Sequence, residues 1–241
     1  MQAIKTMDLV KRYKTLTAVD GLCLEIQQGQ LFSLLGVNGA GKTTPIKMLT
    51  CLTKPTRGDA TVGGFSVTKQ ADRVKGIIGV SPQETAVARG LNVRENLELI
   101  CGAHGFDRSK SDIKIVELSE LLGLNDVMGR KAGKLSGGWQ RRLSIAMALI
   151  SEPEILFLDE PTLGLDVLAR NDLWDIIRSL KGKVTIVLTT HYMEEAEELS
   201  DRVGIMKDGK LLACDTPEGI MRIAGADDLE KAFVHIVRCS P

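Results

Sequence analysis

The chain has 241 residues, with 31 basic and 31 acidic side chains and therefore no formal net charge. Hydrophobic residues at 44% and charged ones at 26% are the balance of a globular protein with a sizeable core, which excludes disorder. The even charge gives no footprint for coating nucleic acid, no apolar run has the length of a membrane span, and no signal peptide opens the chain, so secretion and membrane spanning are not expected.

From residue 1 to about 83, short apolar runs broken by Gly, Asp and Pro read as strands, among them Leu22 to Ile26, Leu31 to Leu35 and Ile77 to Val80. From about 84 to 150 the period turns helical. Asn92 followed by Glu95 has the spacing of a capping box, with Leu97, Ile100 and Cys101 behind it; Ile115, Leu118 and Leu122 form a second stripe. Strand-like runs return at Ile155 to Leu158 and Val184 to Leu188, and between them Leu173, Ile176, Ile177 and Leu180 make a helix face. Apolar strands alternating with helices predict a parallel sheet buried on both faces, here interrupted by a helical lobe. Trp174, beside that last stripe, reads as core, and Glu194, Glu195, Glu197 and Glu198 read as a solvated helix face. Five cysteines without a Cys-x-x-Cys pair read as reduced thiols, and His104, His191 and His235 lack zinc-ligand spacing.

Gly36-Val37-Asn38-Gly39-Ala40-Gly41-Lys42-Thr43 matches the phosphate-loop pattern G-x-x-x-x-G-K-[ST]. The glycines let successive backbone N–H groups point at phosphate oxygens, and the helix that follows adds its positive end. Lys42 is placed to reach the β and γ phosphates, and the Thr43 hydroxyl to ligate Mg2+. Pro45 falls in the first helical turn, where a missing N–H is tolerable. Ile155 to Glu160 is an apolar strand ending in two carboxylates, delivered beside the loop if the sheet is parallel. There Asp159 can hold Mg2+ through water, and Glu160 can polarise the attacking water. Leu135-Ser136-Gly137-Gly138-Trp139-Gln140, followed by a helix from Arg141 to Ile150, is a second anion site, better placed for a nucleotide bound to another copy.

These segments together resemble the ATP-binding cassette (ABC) family, over nearly the whole chain. Its LSGGQ-type signature is LSGGW at 135–139, and the loop and strand-end carboxylates match its Walker A and Walker B motifs. The resemblance implies an α/β P-loop ATPase core with a mainly parallel sheet, an N-terminal antiparallel β part and an inserted helical lobe. It divides the chain into a core of 1–83 and 152–213, a helical lobe of 84–151 and a C-terminal extension of 214–241. Residue by residue it implies ATP contacts from Tyr13, as an adenine-stacking aromatic, and from Gly36, Asn38, Gly39, Ala40, Gly41, Lys42, Thr43 and Thr44. Gln83 matches the Q-loop glutamine, Asp166 the D-loop aspartate and His191 the switch histidine. Glu160, His191 and Gln83 would then serve catalysis; Thr43, Gln83 and Asp159 would hold Mg2+; Ser136, Gly137, Gly138 and Gln140 would meet the ATP of a second cassette. Read alone, Tyr13 could equally be an edge-strand tyrosine, Gln83 a loop residue and His191 a helix cap. Trp139, Val37 and Pro45 depart from the commonest family residues, and none removes a catalytic group.

The resemblance further implies a head-to-tail dimer, of identical or related chains, closing on two ATP and reopening on hydrolysis. With one cassette and no heptad run, the expected role is the ATPase subunit of a transporter whose spans lie on a separate permease chain, at the cytoplasmic face of the membrane and without nucleic acid as partner. The alternatives are a soluble ATPase of the family acting in translation or DNA repair, or a nucleotide-gated module with little turnover. Leu52 to Gly64 and Asp228 to Phe233 look like export-type drug-resistance cassettes. Residues 83–110, with Gly90 to Glu98 as a wall, are the expected groove for the permease.

Overall fold

Two sheets share the strands of a computed structural model that describes residues 1–239. In chain order the elements are β1 (Gln2–Tyr13), β2 (Leu16–Gln27), β3 (Leu31–Leu35), α1 (Thr43–Leu49), β4 (Arg57–Val62), β5 (Phe65–Ser66), α2 (Ala71–Lys75) and β6 (Ile78–Ser81). There follow α3 (Val93–Ala103), α4 (Arg108–Leu121), α5 (Gly137–Leu149), β7 (Ile155–Asp159), α6 (Val167–Leu180), β8 (Thr185–Thr190) and α7 (Met193–Leu199). The described chain ends with β9 (Arg202–Lys207), β10 (Lys210–Asp215), α8 (Pro217–Ala224) and α9 (Leu229–Cys239). Of the expected C-terminal extension, residues 240 and 241 lie outside the described residues.

The smaller sheet is antiparallel, in the order β2-β1-β4-β5. Its long hairpin turns at Lys14, with Tyr13 opposite Leu16. Along β2, Leu22, Leu24 and Ile26 point inward and Cys23, Glu25 and Gln27 outward, the period of two that a half-buried strand requires. The larger sheet runs β10-β9-β3-β8-β7-β6, parallel throughout except for β10.

Its central strands β3, β7 and β8 are buried at every residue. β7 illustrates why the sequence there is unbroken apolar. Leu156 and Leu158 face a core shared with α3, α4, α5 and α6, while Ile155 and Phe157 face a second core under α1 and the antiparallel sheet. A strand between two cores cannot alternate with polar residues. Because β3, β7 and β8 are parallel, all three end at one edge, where the chain continues into residues 36–42, Glu160 and His191.

The helical segment packs its predicted stripes inward, with Ile115, Leu118 and Leu122 almost wholly buried. The α3 capping box forms: Asn92 Oδ1 accepts the Glu95 N–H at 2.8 Å, and Glu95 Oε2 accepts the Asn92 N–H at 2.7 Å. Two expectations need correction. α5 starts at Gly137 rather than Arg141: Gly137 and Gly138 form its first turn, and glycine's entropic cost, which counts most in mid-helix, does not stop the helix from starting there. Glu195 is not on a solvated face; it is fully buried beside Ala196 and Leu199, one helical turn apart, while Glu194, Glu197 and Glu198 are exposed. Trp174 is core, as read. Among the described residues, no helix is long and apolar enough to cross a membrane.

Candidate active site

A cleft of about 530 Å³ opens at the shared strand edge. Asn38 to Thr44 form its floor, Leu16, Thr17 and Ala18 of β2 one wall, and Gln83, Glu160 and the Asp208–Gly209 turn the remainder. The loop is held in a shape that its sequence dictates. Gly41 has φ +98°, and a Cβ there would lie 2.5 Å from the Ala18 carbonyl oxygen, so only glycine fits. Gly209, in the turn joining β9 to β10, donates its N–H to Ala40 O at 3.0 Å and braces the loop from outside.

α1 begins at Thr43, with Pro45 buried as its third residue. The first N–H groups of a helix have no intrahelical acceptor, so the proline ring deletes no bond. Pro45→Thr is accordingly expected to bind ATP equally or more tightly in a nucleotide titration. A clear loss of affinity would mean that the ring preorganises the loop.

Lys42, 6% exposed, curls back over the loop. Its Nζ donates to Gly36 O at 2.6 Å and to Val37 O at 3.3 Å, with Glu160 Oε1 3.2 Å away. Glu160 has a left-handed backbone, φ +49°, held by its N–H donating to Thr189 O at 3.1 Å and Thr189 Oγ1 at 3.0 Å. That turn aims the carboxylate away from the line of β7, and its Oε2 meets His191 Nδ1 at 2.6 Å. A carboxylate so buried is tolerable because a cation and an imidazole flank it. Asp159, one residue back, accepts from Thr189 Oγ1 at 2.5 Å and from Thr43 Oγ1 at 3.3 Å. The Thr43 hydroxyl and the Asp159 carboxylate are thus neighbours at the loop's inner end, and Gln83 lines the same cleft. Two protein oxygens side by side, with no cluster of three His, Cys, Asp or Glu among the described residues, suit a hard cation that completes its shell with phosphate and water, which is how Mg2+ is bound.

The remaining sequence-derived residues stand outside this cleft. Tyr13, 43% exposed, sits at the tip of β1 across from Leu16, with Lys11 Nζ 5.0 Å from its ring centre. Ser136 is the N-cap residue of α5, exposed and with its hydroxyl uncommitted to the helix end. Gly137 and Gly138 pass the start of α6 closely: a Cβ on Gly138 would lie 3.3 Å from Ala169 Cβ. Gln140 turns inward, its Nε2 donating to Leu135 O at 3.1 Å. Asp166 caps α6 by accepting the Ala169 N–H at 2.9 Å. Trp139 packs on the helical core with the Arg142 guanidinium over its ring at 5.1 Å, so it lies beside the glycines without covering them.

Four contributors were not singled out from sequence. Thr189 donates to the Asp159 carboxylate and accepts the Glu160 backbone N–H, fixing the strand end that carries both acids; a hydroxyl closing a strand just before His191 was the available signal. The Asp208–Gly209 turn and the buried Arg141 had none. Glu195 lay hidden in its acidic run. Its Oε1 receives the Trp174 indole N–H at 3.1 Å, Oε2 has no hydrogen-bond partner among the described residues, and the Thr190 and Thr162 hydroxyls lie beside the carboxyl. Burial pushes its pKa above the ordinary value of 4.5. The folded chain therefore keeps this proton at pH values where the unfolded chain has released it, so stability falls as pH rises through 4.5 towards the raised value. Glu195→Gln removes that titration. Its melting temperature should climb relative to the parent's as pH rises above 4.5; a gap that stays constant would show equal ionisation in both states.

Residues 19–163, more than half of the chain, match the family model described as ABC transporter. The chain is 39% identical over 229 residues to the daunorubicin resistance ATP-binding protein DrrA2 of Streptomyces coeruleorubidus, covering 95% of this chain and 71% of that protein. In structure it is similar to an ATP-binding subunit of an ABC transporter, with TM-score 0.86, 26% identity, and coverage of 97% of this chain and 99% of the other. It is also similar to the dimeric ATP-binding cassette MJ0796 in a post-hydrolysis state bound to ADP and Pi, with TM-score 0.80, 26% identity, and coverage of 88% and 98%.

Proposed function

The chain belongs to the ABC transporter family and is an ATPase, and from that premise we propose that it hydrolyses ATP as a head-to-tail dimer to drive export through a separate transmembrane subunit. The observation that carries the chemistry is Glu160 held between Lys42 and His191 at the mouth of the phosphate loop. A triphosphate on the loop N–H groups would draw Lys42 away from Glu160, because phosphate oxygens offer more charge at closer range than one carboxylate. Glu160 would then accept a proton from the attacking water, and His191, next to it, would hold that water and the γ-phosphate in line. Thr43, Asp159 and Gln83 would hold Mg2+, which neutralises charge on the transferring phosphoryl group. Thr44 and the loop residues 36–41 would bind phosphate, and Tyr13 would stack on adenine from the hairpin tip.

Ser136, Gly137 and Gly138 stand outside their own cleft, and a second copy related by a two-fold axis would bring them to the other ATP. The inward turn of Gln140 suits a role in holding the helix end, and Asp166 would act by fixing the loop before α6. On this reading 1–83 and 152–213 form the ATPase core, 84–151 the helical lobe and 214–241 an extension, with 83–110 receiving the permease at the cytoplasmic face of the membrane. Export is favoured by the likeness to a daunorubicin resistance protein. The test is mild-detergent purification from source membranes with mass spectrometry. A stoichiometric multi-span partner is expected; ribosomal or repair proteins alone would sink the transport reading and leave the ATPase standing.

A further inference from the structure

Arg141 joins two motifs that, in the dimer proposed above, serve different nucleotides. It lies one turn into α5, is 5% exposed, and spends its guanidinium on main-chain oxygens: Nη1 donates to Pro82 O and Nη2 to Gln83 O, each at 2.7 Å. One helical turn further on, the buried Ser144 and Ser81 hydroxyls are 2.9 Å apart. Three consecutive residues before and at the cleft glutamine, 81 to 83, are therefore bonded to a single face of the signature helix. Burial opposes the Arg141 charge, while the Asp159 carboxylate favours it. An apolar residue would fill such a place at less cost. What the guanidinium adds is its planar fork, which fixes the direction of two successive carbonyls as a flexible ammonium cannot.

We propose that Arg141 is a positioning residue that couples the two ATP sites: when Ser136 to Gly138 dock on the partner's nucleotide, α5 and the Arg141 fork reset Gln83 in this copy's own cleft. The inference rests on the head-to-tail reading. It requires that each ATP site sense occupancy of the other, and that the link run through residues touching neither nucleotide.

The test compares ATP hydrolysis and nucleotide affinity of the full chain with Arg141→Met, which keeps bulk without donors, and Arg141→Lys, which keeps charge without the fork. The parent should hydrolyse ATP with a Hill coefficient approaching the number of sites, about 2; Arg141→Met should fall to about 1 with kcat lowered roughly 10-fold. Affinity for a fluorescent ATP analogue below the dimerisation concentration should change less than about twofold. Arg141→Lys should fall between them, and carries the test alone if Arg141→Met does not fold. Parent cooperativity and kcat in both variants would overturn the proposal. So would an equal loss of affinity and kcat, which marks a purely structural role. Glu160→Gln run with ATP on a sizing column separates the premises. Without an ATP-dependent dimer the head-to-tail reading fails and takes the inference with it; a dimer whose cooperativity survives Arg141→Met removes the inference alone.

Discussion

Glu160→Gln is expected to retain ATP binding and to lose hydrolysis by roughly 10²–10⁴-fold, the contribution of a well-placed general base. The side chains have the same size, and the left-handed turn at 160 is held by the residue's own N–H on Thr189, so the backbone is not disturbed. What disappears is the charge. The amide oxygen can still lie 2.6 Å from His191 or about as near to Lys42, yet it cannot take a proton from water at neutral pH. Lys42 also loses the anion that competes with phosphate, so affinity for ATP should stay equal or rise. On the proposed dimer reading, binding without turnover would accumulate the closed state, and an ATP-dependent dimer should elute from a sizing column. A variant that turned over at the parent rate would remove Glu160 as the base.

The readable parts of the site are those where one residue type alone is possible locally. Gly41 is forced by the Ala18 carbonyl, Lys42 by the need for a cation at the loop, and the Asp159-Glu160 pair by the abrupt end of a strand buried on both faces. Such positions announce themselves by spacing. The hairpin strand β1 does not, because its pairing shifts register several times and its inward residues fall irregularly at 3, 4, 6, 9 and 10. Arg141 is a harder case. An arginine in a helix ordinarily faces water, and its acceptors lie 58 and 59 residues away in sequence. Glu195 was within reach: it shares the helical phase of Leu199, four residues on, and a run of four glutamates obscured that phase. Composition speaks for the average of a segment, and the buried exception is decided by what another segment brings to it.

Lys42→Ala is expected to abolish measurable ATP binding, lowering affinity by about 100-fold or more, since a buried ammonium facing phosphate supplies charge-assisted bonds of about 1.5–3 kcal/mol each. The same substitution should destabilise the protein before any nucleotide is added. Glu160 is 7% exposed, and losing Lys42 leaves it with His191 as its one ionisable partner in contact among the described residues. Removing one member of a buried pair costs about 3–5 kcal/mol when the survivor cannot reach water. Two losses therefore share one mutation, and a second change separates them. Adding Glu160→Gln to Lys42→Ala removes the stranded charge, so the melting temperature should recover while ATP binding stays lost. Unchanged nucleotide affinity in Lys42→Ala would undercut the phosphate-loop assignment. A double variant no more stable than the single one would mean that Glu160 is neutralised by His191 without help from Lys42.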